Sequence, residues 1–396
     1  MTWEQREVSE QRMRAAMLVE DGVPVATVAR QLGRSREFVH KWHKRFVEHG
    51  LDGLHERSRA PLHRPRAVSP TVERHIVRLR EEHGWGPRKL LVLLEEQLPD
   101  GEVVPSRTTI ANVLRRHGLV QKRRRKATHH SLYDNKLTEA AAPNDVWAID
   151  FKGHFKLLNG QYCYPLTVTD SCTRSLLGCF ALPGPVLEAT QAHVNGLFTE
   201  LGLPAVIRSD NGNPFASVRA LHGLTRLSAG WLAQGIRHER TRPGKPQDNG
   251  RHERMHRDLK AFACVRPERT LAEQQLRFDA FVAEFNQVRP HEALNMRRPS
   301  ELYAPSPRRF EPHPTFSYPA HFEVRKVYPS GEVTFQKTIV PITAALGRQR
   351  IAFEHVETDQ WLVHYHEHVI ATYDERTHTI TGILEKRDAY VRVRGQ

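Results

Sequence analysis

Hydrophobic periodicity changes once along this chain, near residue 130, and no other feature constrains the fold as much. Before the change, apolar residues recur at the spacing of a helix that packs on one face. Val25, Val28, Ala29 and Leu32 form one such stripe, and Val39, Trp42 and Phe46 a second. Val72, Ile76 and Leu79 form a third, and Ile110, Val113 and Leu114 a fourth. After the change, "NDVWAIDFKGHF" and "GQYCYPLTVTDSCTRSLLGCF" are rich in β-branched and aromatic residues, as strands are. A chain of 396 residues is too long for one ordinary core. Helical units followed by a mixed α/β region are therefore expected.

The helical stretches carry start and stop signals. Gly33 interrupts the first stripe, and Ser35 is placed to cap "REFVHKWHKRF", which leaves Arg36, His40, Lys41 and Lys44 facing out. A helix, a tight turn and a basic helix make a helix-turn-helix unit, expected over residues 1–58. A second unit is expected over 69–120. There Ser69-Pro70 opens one helix and Ser106 caps "RTTIANVLRRHGL", with Arg107, Thr108 and Asn112 as outward, base-facing candidates. Any small three-helix domain shows this periodicity, so charge has to decide between DNA binding and a plain helical fold. Net charge is +14, and residues 1–130 hold 26 Lys+Arg against 16 Asp+Glu, while the remaining 266 hold 33 against 29. An excess concentrated in the first third points to a phosphate backbone. "QKRRRKATHH" opens a basic linker, residues 121–143, whose Arg123, Arg124 and Arg125 are further phosphate candidates.

Several classes are disfavoured. No run of eighteen apolar residues is present, so no membrane span is expected. The opening "MTWEQREVSEQR" lacks the apolar segment of a signal peptide, which points to the cytoplasm. Cys163, Cys172, Cys179 and Cys264 form no CxxC pair, so a Cys/His zinc module is disfavoured and free thiols are expected.

The α/β region is expected over 144–310, with a hairpin turn at Asn159-Gly160. Beyond the proline-rich "RRFEPHPTFSYPAH", short alternating segments suggest a small β-barrel over 322–396, and the histidines of 363–378 are read as surface residues.

Three acids stand out in this region. In "VWAID", Val146, Ala148 and Asp150 share one strand face, and Trp147, Ile149 and Phe151 the other. An acid within so apolar a strand is costly if buried alone. Asp210 follows the strand "PAVIRS" at a turn. Glu253 sits in "RPGKPQDNGRHERMHRDLK", which as a helix puts Met255, Leu259 and Phe262 toward a core and Glu253, His256, Arg257 and Lys260 nearly opposite. On its own, Glu253 could simply pair with Arg257 on a solvated helix. As a set, three carboxylates on three elements suit a hard divalent cation such as Mg²⁺, with Mn²⁺ as substitute. Two such ions about 3.5–4 Å apart can promote an in-line displacement at phosphorus. Asp170 in "VTDSCTR" is a decoy, since an Asp there commonly bonds its own turn.

"IDFKG", "SDNGNPF" and "RPGKPQDNGRHERMHRDLK" resemble the catalytic segments of DDE transposases with a retroviral-integrase-type core. The two N-terminal units resemble the helix-turn-helix domains of bacterial insertion-sequence transposases. That resemblance implies an RNase H-like core with Asp150, Asp210 and Glu253 as catalytic, metal-binding acids. It also implies DNA-holding roles for Lys260, two turns beyond Glu253, and for Arg257. Expected partners are double-stranded DNA, both element ends and target, and further copies of the chain as a homodimer or higher homo-oligomer. The 42 residues between Asp210 and Glu253 exceed the family's usual spacing. The competing reading is a helix-turn-helix regulator with an inactive integrase core, which loss of any one acid would have favoured.

Overall fold

In the computed structural model, which describes residues 3–55, 68–120, 137–217, 220–241, 250–357 and 359–382, serine side chains start the basic helices. Ser35 Oγ accepts from the Phe38 amide at 3.1 Å, and Ser106 Oγ accepts from the Thr109 amide at 3.2 Å. Each satisfies one of the orphan donors of a first turn.

The chain divides into two compact units, residues 1–69 and 70–396. The first holds α1 (Trp3–Glu20), α2 (Val25–Leu32), α3 (Arg36–His49) and a 3-10 turn, Gly50–Leu54. Gly33 ends α2 with φ of 60°, a left-handed conformation that favours glycine. Ala15, Val28, Ala29 and Val39 interlock beneath the turn, and Trp42 packs with Ala16 and Leu54.

The second unit begins with α4 (Pro70–His83), α5 (Pro87–Gln97) and α6 (Arg107–Arg116), packed through Ile76, Leu90 and Ile110, all 0% exposed. These helices are fastened to the chain beyond by Arg298–Glu96 (2.7 Å), Arg88–Glu292 (3.2 Å) and His83–Glu284 (3.2 Å).

The α/β region is a six-stranded mixed sheet. Its strands are β1 (Val146–Phe151), β2 (Phe155–Lys156), β3 (Tyr162–Asp170), β4 (Leu176–Leu182), β5 (Val206–Ser209) and β6 (Arg237–Arg240). The order is β2-β3-β1-β5-β6, with β4 also on β3. β1, β5 and β6 run parallel, whereas β3 is antiparallel to β1, β2 and β4. The expected turn at Asn159-Gly160 joins β2 to β3, with Gly160 N bonded to Leu157 O. Helices cover both faces. α7 (Leu187–Leu201) and α8 (Arg226–Ala233) pack on Trp147 and Ile149, while α9 (Gly250–Leu259) and α10 (Leu271–Ala283) pack on Leu176 and Cys179. The four cysteines are free thiols, as expected.

The C-terminal strands correct an expectation. β7 (Glu323–Lys326), β10 (Arg350–Glu357), β11 (Gln360–Tyr365), β12 (His368–Asp374) and β13 (Thr379–Gly382) form an open sheet in the order β13-β12-β11-β10-β7. β8 (Glu332–Phe335) and β9 (Thr338–Pro341) form a separate hairpin. Among the described residues no barrel closes, because β7 and β13 are the two ends of the order and do not pair. The apolar face is covered from outside instead, by Leu224, Ala229 and Leu232 of the α/β region against Phe335, Phe353 and Tyr373. Alternation says that a strand has one buried face; what covers that face is not local information. His364 also departs from expectation, being buried and 2.7 Å from Glu354.

Candidate active site

Strand register brings the first two acids together. β1 and β5 pair as Val146 with Val206, Trp147 with Ile207 and Ala148 with Arg208. Continuing that register by two residues sets Asp150 level with Asp210, at the carboxyl ends of adjacent parallel strands, where α/β sheets open toward ligands. Asp210 is exposed just past β5, and its Oδ1 accepts from the Gly212 amide at 3.0 Å. A Cβ at Gly212 would stand 3.1 Å from Asp210 Oδ2, so the missing side chain leaves room for the carboxylate. Asp150 lies on the strand face opposite Trp147 and Ile149, as alternation required, and therefore toward α9.

α9 supplies the third acid. Met255 and Leu259 are buried, while Glu253, Arg257 and Lys260 are exposed, in line with the helical stripe. His256 does not follow that pattern. It is 6% exposed rather than outward, and His252 beside it is 2% exposed. Both Nε2 atoms meet Thr167 Oγ1 of β3, at 2.6 Å from His252 and 2.7 Å from His256. His252 Nδ1 also meets Thr169 Oγ1 at 3.0 Å. Polar partners on β3 make burial of two imidazoles tolerable, which hydropathy along one helix cannot register. Burial lowers both, His252 to about 3 and His256 to about 2, so both are neutral. The 4.0 Å approach of His256 Nδ1 to Asp150 Oδ2 is accordingly not an ion pair.

The three acids share one electrostatic environment. Asp150 is pushed up to about 7, first by burial and then by the negative charge of Asp210, with Glu253 adding to the shift. The Phe151 amide and the Lys152 ammonium oppose it. Lys152 was missed in the sequence, although two residues along a strand share a face. Asp170 is not part of this group. Its carboxylate accepts from the amides of Cys172 (3.1 Å) and Thr173 (2.7 Å) in its own turn and from the amide of Asn144 (2.8 Å) before β1, a structural role.

The remaining candidates fall on two kinds of surface. Arg36, His40, Lys41 and Lys44 are exposed on α3 in the first unit. Arg107, Thr108 and Asn112 are exposed on α6 in the second unit and line a shallow groove that includes Lys89. Lys89 also lines a cavity of about 350 Å³ beside α9, together with Arg174, Arg254, Arg257 and Arg289. Burial and then Arg289 pull Lys89 down to about 8. Lys260 is exposed at the start of a π-helical segment, Lys260–Cys264, that continues from α9. Arg123, Arg124 and Arg125 lie outside the described residues.

Parts of the chain match known domain families. Residues 7–54 and 38–114 match homeodomain-like domains, and residues 140–246 and 234–299 match the integrase core domain. The "Insertion element IS407 uncharacterized 31.7 kDa protein" of Burkholderia multivorans is 28% identical over 262 residues, covering 62% of this chain and 87% of that one. The chain thus joins homeodomain-like domains to an integrase core domain and is similar to an insertion-element protein. The chain is also 33% identical over 119 residues to the Pro-Pol polyprotein of simian foamy virus type 3, covering 30% of this chain and 9% of that one. Likeness to solved structures is slight. A simian T-cell lymphotropic virus intasome in complex with PP2A regulatory subunit B56 gamma gives a TM-score of 0.37 at 16% identity, over 72% of this chain and 91% of that one. The HTLV-2 integrase catalytic core domain in complex with magnesium (trimeric form) gives 0.31 at 16% identity, over 42% and 99%.

Proposed function

We propose that this chain binds the terminal inverted repeats of a mobile element, cleaves the 3′ ends and joins them to target DNA, with Asp150, Asp210 and Glu253 as the catalytic acids. The observation that carries the reading is the electrostatic convergence at Asp150, whose carboxyl is raised by both other acids. Three carboxylates that repel one another are a set of hard oxygen donors matched to Mg²⁺ or Mn²⁺. When bound there, the cations supply charge neutralisation and activation of the attacking oxygen. The chain's own contribution is placement. β1 and β5 hold Asp150 and Asp210 at one level, and α9, which carries Glu253, docks on β3 through His252 and His256. The exposed Arg257 and Lys260 are assigned to phosphates next to the scissile one, as phosphoryl transfer asks chiefly for positioning and charge.

Recognition is assigned to the basic faces of α3 and α6, with Arg36, His40, Lys41 and Lys44 on one and Arg107, Thr108 and Asn112 on the other. The linker residues Arg123, Arg124 and Arg125 add phosphate contacts. Activity requires DNA ends to be held together, so a homodimer or higher homo-oligomer on DNA belongs to this reading, acting in the bacterial cytoplasm. Among the described residues no helix is long and apolar enough to cross a membrane.

The test uses the full chain and a duplex carrying an element end. Asp150→Asn, Asp210→Asn and Glu253→Gln should each abolish cleavage and strand transfer while retaining end binding, and chelator should abolish wild-type activity. Substantial cleavage by Glu253→Gln would return that acid to a surface ion pair.

A further inference from the structure

Thr167 Oγ1 has three hydrogen-bond partners in this structure. They are the Asp150 carbonyl oxygen at 3.1 Å, His252 Nε2 at 2.6 Å and His256 Nε2 at 2.7 Å. A hydroxyl has one proton and two lone pairs. The carbonyl can only accept, so the proton of Thr167 goes to it. Both imidazoles must then donate from Nε2 to the two lone pairs. With Nε2 as the donor, the neutral form of each ring carries its one proton there and leaves a lone pair on Nδ1. The network assigns these tautomers.

The two Nδ1 atoms have different surroundings. His252 Nδ1 is occupied, because the Thr169 hydroxyl at 3.0 Å has its proton to give. His256 Nδ1 faces the carboxylate of Asp150, with 4.0 Å between it and Oδ2. That gap is too long for a hydrogen bond. It suits a cation between the two atoms. Ligand atoms each about 2.1 Å from one ion stand about 3 Å apart when adjacent and about 4.2 Å apart when opposite. Asp150, His252 and His256 can bring one ligand atom each within 4.8 Å of one another, and the proton inventory removes His252 from that trio.

We infer that His256 Nδ1 is a nitrogen ligand on the Asp150 side of the cation site, and that it biases the site toward Mn²⁺ over Mg²⁺. This rests on the reading of Asp150 as a metal-binding acid. Mg²⁺ strongly prefers oxygen, whereas imidazole suits first-row transition ions, so one nitrogen in a carboxylate set favours Mn²⁺. The ring is held for the role. Its Nε2–H is tied to Thr167, which fixes tautomer and orientation as second-shell bonds to metal-bound histidines do.

Two substitutions separate the ligand from the clamp. In His256→Gln the side-chain amide can reach Thr167 from about the position of Nε2, while nothing replaces Nδ1. In His256→Asn an oxygen can occupy about the position of Nδ1, while the bond to Thr167 is lost. Binding is measured on the full chain without DNA, titrating Mn²⁺ by loss of the free-ion electron paramagnetic resonance signal and Mg²⁺ by competition. His256→Gln should weaken Mn²⁺ by about tenfold or more and Mg²⁺ by less than about threefold, with His256→Asn intermediate for Mn²⁺. In the wild type, electron-spin-echo envelope modulation of bound Mn²⁺ should show coupling to a histidine nitrogen, which needs no variant to fold. Absence of that coupling, or unchanged Mn²⁺ binding by His256→Gln, overturns the inference. Asp150→Asn keeps the two failures apart. Retention of both ions by that variant would sink the acid-site reading itself, whereas its loss of both beside an unaltered His256→Gln would sink only the histidine ligand.

Discussion

α6 and α9 are both short basic helices with one buried face, and the two faces are chemically different. α6 buries Ile110, Val113 and Leu114, with arginine, threonine and asparagine exposed on the rest of its surface. α9 buries Met255 and Leu259 together with two histidines, and exposes its glutamate. The apolar face of α6 fits any complementary apolar surface, which suits the proposed task of presenting an outer face to DNA. The buried face of α9 fits only where a strand offers hydroxyls at the right level, because an unpartnered buried imidazole costs free energy. β3 offers Thr167 and Thr169 there, and Thr167 is register-paired with Asp150. One polar lock thus ties the helix of Glu253 to the strands of Asp150, and helix placement becomes part of the site.

The largest effect that would break this contrast is on chemistry. Glu253→Gln should lower cleavage by about a thousandfold or more, since a lost cation contact is worth several kcal/mol. Arg107→Ala on α6 should instead weaken end binding and leave cleavage of saturating substrate within about tenfold, read in the same gel assay. Equal loss of cleavage at saturation would erase the division of labour between the two helices.

Packing comes next. Ile110→Ala should cost about 3 kcal/mol by chemical denaturation, the usual range for truncating a fully buried aliphatic side chain. Thr167→Val should cost a comparable amount, about 2–4 kcal/mol, because two buried imidazole N–H groups lose their acceptor. Partial restoration of Thr167→Val by His252→Leu would sharpen the comparison, for one of the two imidazoles then leaves with the hydroxyl while His256 still lacks its acceptor. A cost under about 0.5 kcal/mol for Thr167→Val alone would mean that the lock contributes little.

The pH dependence of Asp150 follows from its raised value. Below the ordinary carboxyl range the group is protonated in folded and unfolded chains alike and has no effect. Between about 4 and 7 the folded chain holds a proton that the unfolded chain releases, so stability falls as pH rises through this window, and the full penalty is present above about 7. In chelator at pH 8, Asp150→Asn should therefore be more stable than wild type, on the order of 2 kcal/mol, and at pH 3.5 the two should melt together. Identical melting temperatures at pH 8 would show that burial and the neighbouring acids together do not disfavour the Asp150 carboxylate. The smallest effect belongs to the caps. Ser106→Ala should cost about 1 kcal/mol, measured as a shift in the denaturation midpoint.

Much of this architecture can be read along the chain because its causes are local. Ser35 and Ser106 cap the helices that follow them, and a cap needs only an oxygen three residues before an amide. The stripes of Ile110, Val113 and Leu114 and of Met255 and Leu259 orient their helices, since an apolar side chain gains from any partner that excludes water. Alternation in "VWAID" sends Asp150 to the face opposite Trp147 for the same reason. The remainder depends on partners distant in sequence. Burial of His252 and His256 waits on Thr167 and Thr169, more than eighty residues earlier in the chain. The level meeting of Asp150 and Asp210 waits on the register of β1 against β5. The C-terminal sheet stays open because Leu224, Ala229 and Leu232, over a hundred residues before most of its strands, already cover it. A residue's hydropathy states the cost of leaving water, and only the tertiary structure supplies the group that offsets it.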